Sequence, residues 1–131
     1  MLRFEYMPSD FHPLFLFVGE ASDLAALARL LRRYAGDPQR MTVAERIPGV
    51  TSRDALVLTP SEDEFGMRDL GGSFAWKLNG WQAERIAERI EVLTPAENKS
   101  GSEILEVGSE GEIPVKVSRG EFTDDFLIGR R

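Results

Sequence analysis

The sequence predicts an α+β protein of a single domain spanning 1–131, with a mainly antiparallel sheet and two amphipathic helices in the order ββα-ββ(β)β-α-ββ. Three observations carry this prediction. The chain has 131 residues and is 42% hydrophobic, enough to bury one ordinary core. Two stretches, near 22–36 and 79–93, carry apolar residues at helical spacing behind capping residues. Between and around them lie short alternating or continuous apolar runs, each closed by Gly or Pro, the pattern of short strands.

The elements follow in chain order. "LRFEYM" (2–7) alternates Leu2, Phe4 and Tyr6 with Arg3 and Glu5, the period of a half-buried strand, and Pro8 ends it. "PLFLFVG" (13–19) is apolar on both faces and predicts a central strand. Ser22 is the expected N-cap of the first helix, Asp23 sits in its first turn, and Leu24, Leu27, Leu30, Leu31 and Tyr34 form its apolar face. Gly36 and Pro38 stop it, and Arg29, Arg32 and Arg33 lie towards the end where positive charge suits the helix dipole.

"MTVAERI" (41–47) and "ALVLT" (55–59) predict strands separated by a turn at Pro48 and Gly49, and a short strand is expected at 67–70. In "GGSFAWKLNGWQ" (71–82), Phe74, Trp76 and Leu78 alternate with Ser73, Ala75 and Lys77, which predicts a strand with one buried face. Asn79 and Gln82 then have capping-box spacing, and Trp81, Ile86, Ile90 and Leu93 continue into a helix that Pro95 closes. Both tryptophans are expected in the core, Trp76 from the strand and Trp81 as a staple at the helix start. "EILEVG" and "EIPVKVS", joined by "GSEG" (108–111), predict a hairpin. Pro114 lacks an N–H, so the Ile113 to Val117 strand is expected at a sheet edge, open to a partner strand or a second copy of the chain in a homodimer. A strand-strand-helix-strand order recurs from 55 onward, an echo of architecture with little matching of residues.

Composition excludes several function classes. There is no cysteine, hence no disulfide, thiolate metal site or cysteine nucleophile, and a reducing cytoplasm is the expected setting. No apolar run approaches the roughly 20 residues a membrane helix needs, and no signal-peptide pattern opens the chain. The single histidine, His12, precedes every glycine-flanked serine and is expected to be exposed; no Gly-x-Ser-x-Gly, phosphate-loop or dinucleotide fingerprint occurs. No cofactor, metal site or catalytic residue is expected from these patterns.

The net charge of −6 is uneven. Residues 1–60 hold seven basic and seven acidic side chains, so the whole excess lies in 61–131, with 15 acidic against 9 basic. Such a field repels nucleic acid phosphates and favours a basic partner or a cation, unless it serves only to keep the protein soluble, the more ordinary reading of mild acidity. Two acidic clusters stand out. Glu62, Asp63 and Glu64 read as solvated loop charge. Glu121, Asp124 and Asp125 lie in a tail whose Phe122, Phe126 and Leu127 are expected to dock and so hold the aspartates in place. With Glu112 they are the candidate partner-binding residues. The rival reading is a small enzyme or divalent-cation-binding protein that uses the tail carboxylates.

"GGSFAWKLNGWQAERIAERI" (71–90) and "EIPVKVSRGEFTDDFLI" (112–128) resemble the strand-to-helix and terminal segments of small bacterial α+β proteins, some of them classed as immunity proteins of toxin systems. That resemblance covers under a third of the chain and transfers no functional residue. It implies a non-enzymatic protein that covers a partner's basic surface.

Overall fold

The computed structural model describes residues 1–8, 13–95 and 101–120. Eleven elements succeed one another: β1 (Arg3–Met7), β2 (Leu14–Gly19), α1 (Ala21–Gly36), β3 (Met41–Thr42), α2 (Val43–Arg46), β4 (Leu56–Thr59), β5 (Gly66–Asp69), β6 (Phe74–Lys77), α3 (Gly80–Glu91), β7 (Gly101–Leu105) and β8 (Val115–Arg119). They form an α+β fold with two four-stranded mixed sheets, ordered β1-β2-β8-β7 and β3-β4-β6-β5. Four of the six strand pairs are antiparallel; the central pairs β2–β8 and β4–β6 are parallel.

The two orders are one pattern written twice. An antiparallel pair, a helix and a second antiparallel pair run from β1 to β4, and again from β5 to β8. Each half gives its first pair to one sheet and its second pair to the other. Through the central strands and helices, element order and strand register correspond at a separation of 59 residues, as in Phe15 to Phe74, Glu20 to Asn79 and Leu58 to Val117. The Phe15 N–H donates to the Pro114 carbonyl at 2.9 Å, and its counterpart, the Phe74 N–H, donates to the Ala55 carbonyl at 2.8 Å. The topology thus repeats, but not with the bounds the sequence suggested: 55–59 is β4, the last strand of the first half, and the second half begins at β5, with the joint at 60–65.

Equivalent side chains meet across the axis between the halves. Phe17 stacks on Trp76 with centroids 5.4 Å apart, and Phe15 meets Phe74 edge-on at 5.2 Å. The helices pack against one another with matching buried positions, Leu24, Leu27, Ala28 and Leu31 against Ala83, Ile86, Ala87 and Ile90. All these residues belong to one core cluster that also takes Leu56, Leu58, Met67, Val115 and Val117 from the sheets. Tyr34, fully buried, donates its hydroxyl to the Leu78 carbonyl at 2.7 Å; burial pushes its pKa up to about 12.

The structure corrects several expectations. Ser22 is not the N-cap of α1. Glu20 occupies that position, and the Asp23 carboxylate accepts from the Glu20 N–H at 2.9 Å. The 41–47 stretch is a two-residue strand followed by a helical turn, because Val43 and Ile47, both buried, are spaced for a helix face. Trp76 is buried at 1% exposure, but Trp81 is 71% exposed. The apolar face of α3 is Ala83, Ile86, Ala87 and Ile90, and Trp81 projects from the other side. β8 is not an edge strand, since it lies between β2 and β7. Pro114 stands just before β8, where it supplies only its carbonyl to β2, so its missing N–H costs the ladder nothing.

The sheet edges are β1 and β7 in one sheet and β3 and β5 in the other. Two of them are tied by single bridges. The Thr51 N–H donates to the Leu2 carbonyl beside β1 at 3.0 Å, and the Ile113 N–H donates to the Met67 carbonyl of β5 at 2.9 Å.

Candidate functional site

The β5–Ile113 bridge brings together the joint between the halves (60–65) and the turn that connects β7 to β8 (106–112). Between them opens a cleft of about 370 Å³ lined by Asp63, Glu64, Arg68, Lys77, Ser109 and Glu110. Its polar walls follow from local sequence. The joint is "PSEDEF", in which the Ser61 hydroxyl accepts the Glu64 N–H at 3.2 Å and fixes the turn bearing Asp63. The opposite wall is "VGSEG", and it is shaped by Glu112.

Glu112 acts as the brace of that wall. One of its carboxylate oxygens accepts the N–H groups of Gly108 and Ser109, at 2.6 and 2.9 Å, and the other accepts the Val107 N–H at 3.1 Å. Three convergent N–H donors on one carboxylate hold the turn in a single shape and place Ser109 and Glu110 on the cleft. Gly66 makes room for it. The glycine has φ +94°, and a Cβ there would collide with the Glu112 side chain.

The cations of the cleft are already engaged. Arg68 donates through Nε and Nη2 to the Phe65 carbonyl, at 3.1 and 2.6 Å, and through Nη1 to the Glu110 carbonyl at 2.9 Å. It thus bolts the two walls together by their backbones. Lys77 pairs with Glu64 at 2.8 Å, and that hydrogen bond holds the Glu64 carboxyl below the usual carboxylate range. Asp63 and Glu110, both exposed, carry no ion pair among the described residues, and Glu62 stands exposed beside them. Carbonyl partners leave Arg68 its charge, so the lining sums to −1, Asp63, Glu64 and Glu110 against Arg68 and Lys77.

Of the predicted partner-binding residues, Glu112 does not line this cleft but braces the turn behind one wall, its carboxylate turned to the backbone, while Glu121, Asp124 and Asp125 lie outside the described residues, as does His12. Asp63 and Glu110 were not singled out as binding residues by sequence reasoning. The signal that could have found them is the pairing of β5 with Ile113, a long-range contact. Among the described residues no group of three or more His, Asp or Glu side chains is gathered to hold a metal ion.

Two further grooves flank the helices. One, of about 260 Å³, is lined by Trp81, Arg85, Ile86, Arg89 and Glu106 among others, and the Arg85 guanidinium lies over the Trp81 ring at 5.6 Å. The other, of about 160 Å³, lies where α1 meets the end of α2 and carries Arg29, Arg33 and Arg46. No helix among the described residues is long and apolar enough to cross a membrane.

Fold and cleft together define a two-sheet α+β protein of two interlocked halves with an acidic surface cleft at their joint. No family model, curated protein or solved structure matches the chain.

Proposed function

We propose that this is a non-enzymatic protein-binding domain whose acidic second half contacts a basic partner, in the manner of an immunity protein that covers a toxin's basic surface. The cleft at the joint is the centre of that contact; Glu121, Asp124 and Asp125, outside the described residues, are further candidate contact residues of the same acidic half of the sequence. One observation carries the reading. Lys77 is paired with Glu64 and the Arg68 guanidinium is tied to backbone carbonyls, so Asp63 and Glu110 keep their carboxylates open on opposite walls of a cleft of about 370 Å³ whose lining carries a net charge of −1 (Asp63, Glu64 and Glu110 against Arg68 and Lys77).

A guanidinium inserted there would meet carboxylates from both sides, and the charge of the surrounding half would steer its approach. Glu112 has a different role from contact: it holds the wall that carries Glu110. The test uses the full chain as bait in three forms: wild type, Asp63→Asn with Glu110→Gln, and a control that removes two carboxylates elsewhere, Glu45→Gln with Glu88→Gln. A partner retained by the wild type and the control but released by the cleft variant supports the reading. Equal retention by all three overturns the cleft as the contact site.

A further inference from the structure

We propose that the groove carrying Arg29, Arg33 and Arg46, where α1 meets α2, is a second binding site, and that it takes a phosphate monoester. This site is independent of the acidic cleft and of the function proposed for it. Arg29 and Arg33 are four residues apart on α1, hence on one face, and Arg46 ends α2 across the groove from them. Leu30 and Ile47, both buried, form part of its apolar floor.

Three exposed guanidiniums share this groove without an ion pair from any described carboxylate. Carboxylates are not scarce, since the chain has 22 of them against 16 basic residues. Nor is α1 remote from them. Arg32, on the same helix, is held by Glu91 at 2.7 Å and by Glu84 at 3.1 Å.

The repeat of topology supplies an internal control. The groove on α3 is the counterpart of the groove on α1, for it lies between the equivalent helix and the segment that follows the equivalent strand. There the charge is compensated. Arg89 pairs with Glu103 at 3.0 Å, and Glu88, at the place equivalent to Arg29, stands 3.9 Å from Arg85. Helix dipoles account for a basic residue in a last turn, as at Arg33 and Arg46, but not for Arg29 a turn earlier.

The chemistry selects the ligand. A carboxylate has two oxygens and one charge, whereas a phosphate monoester presents three terminal oxygens and nearly two charges, a match to three guanidinium forks. The groove's volume of about 160 Å³ admits one such group and part of its ester, with the organic side against Leu30. A long polyanion would be repelled by the net charge of −6 before it reached so local a site.

The test is a titration of the ¹⁵N-labelled full chain with inorganic phosphate, phenyl phosphate, a phosphoserine tripeptide and, for comparison, acetate. Saturable shifts are expected at Leu30, Arg33, Arg46 and Ile47, with none at Arg85 and Arg89. Each single substitution, Arg29→Gln, Arg33→Gln or Arg46→Gln, is expected to weaken binding about tenfold, the loss of one charge-assisted contact. The triple variant should lose binding while its Tm stays equal or rises, because mutual repulsion is removed. A structural role for these arginines would instead lower Tm. Tighter binding of the phosphopeptide than of phenyl phosphate identifies a protein-borne phosphate, and the reverse order a small molecule. Acetate binding as tightly as phosphate, shifts in both grooves alike, or titration unchanged in the triple variant would overturn the proposal.

Discussion

Arg32 of α1 grips Glu91 of α3 with a two-pronged hydrogen bond, Nη2 to Oε1 at 2.7 Å and Nε to Oε2 at 2.8 Å, and the two residues occupy equivalent positions in the two halves. A strictly symmetric repeat would place like residues opposite one another here. Opposite charges make the site a lock between unlike halves. The Arg32 hydrogen bond, then its charge, hold the Glu91 carboxyl below the usual range. The linkage sign follows: a carboxylate with a depressed folded pKa contributes stability that is present above its unfolded pKa and is lost as pH falls through the folded value. Thermal melts of wild type should therefore lose Tm below the ordinary glutamate range more steeply than melts of Glu91→Gln. Because the pair is partly solvated, added salt should narrow the difference. Parallel pH profiles for the two proteins would remove the lock from the account.

Trp76 and Trp81 are predicted to behave oppositely. Trp76→Ala empties the site that stacks on Phe17 and should cost about 3–5 kcal/mol in urea melts. Trp81→Ala should change stability by less than about 1 kcal/mol, since most of the ring faces water. Acrylamide should quench only the Trp81 fluorescence in the native state. Similar losses at both sites would contradict the placement.

Gly66 and Glu112 form one device. Gly66→Ala demands a positive φ from a side-chain residue and drives its Cβ into the Glu112 carboxylate. Glu112→Gln replaces a charged acceptor of three N–H groups by a neutral one. Each should lower stability by about 1–3 kcal/mol. In Glu112→Gln, the amides of Gly108 and Ser109 should lose protection from exchange. A fully stable, fully protected Glu112→Gln would mean the turn does not depend on its brace.

Amide exchange separates the true edge from the misread one. The amides of Val115 to Arg119 should exchange slowly because β8 is paired on both sides, whereas β7 should show alternating fast and slow amides along Gly101–Leu105. Uniform protection along β7 would mean that its free edge is covered.

Much of the fold was legible because its signals are local. The Asn79–Gln82 capping box starts α3 where the sequence places it, and both halves of the box form. The continuous apolar run of 14–18 gives the central strand β2. The misreadings share a cause in geometry. On α3 the expected Ile86, Ile90 and Leu93 are buried, and only Trp81 falls off the face, which the small Ala83 and Ala87 complete in its place. Pro114 speaks against a central strand only if it lies inside one, and it stops one residue short. The candidate site was less legible. Asp63 stands out only as part of an acidic loop and Glu110 not at all; the two are distant in sequence, and the Met67–Ile113 bridge together with Arg68 makes them neighbours.

The central claim, that the acidic cleft receives a basic partner, is tested most directly by association kinetics of the captured partner over a salt series. With wild type, the association rate should fall steeply as salt rises. Asp63→Asn with Glu110→Gln should slow association at low salt, flatten the salt dependence and speed dissociation, since these carboxylates both steer and pair. Rates equal to wild type at every salt concentration, with Glu45→Gln and Glu88→Gln also unchanged, would contradict the claim.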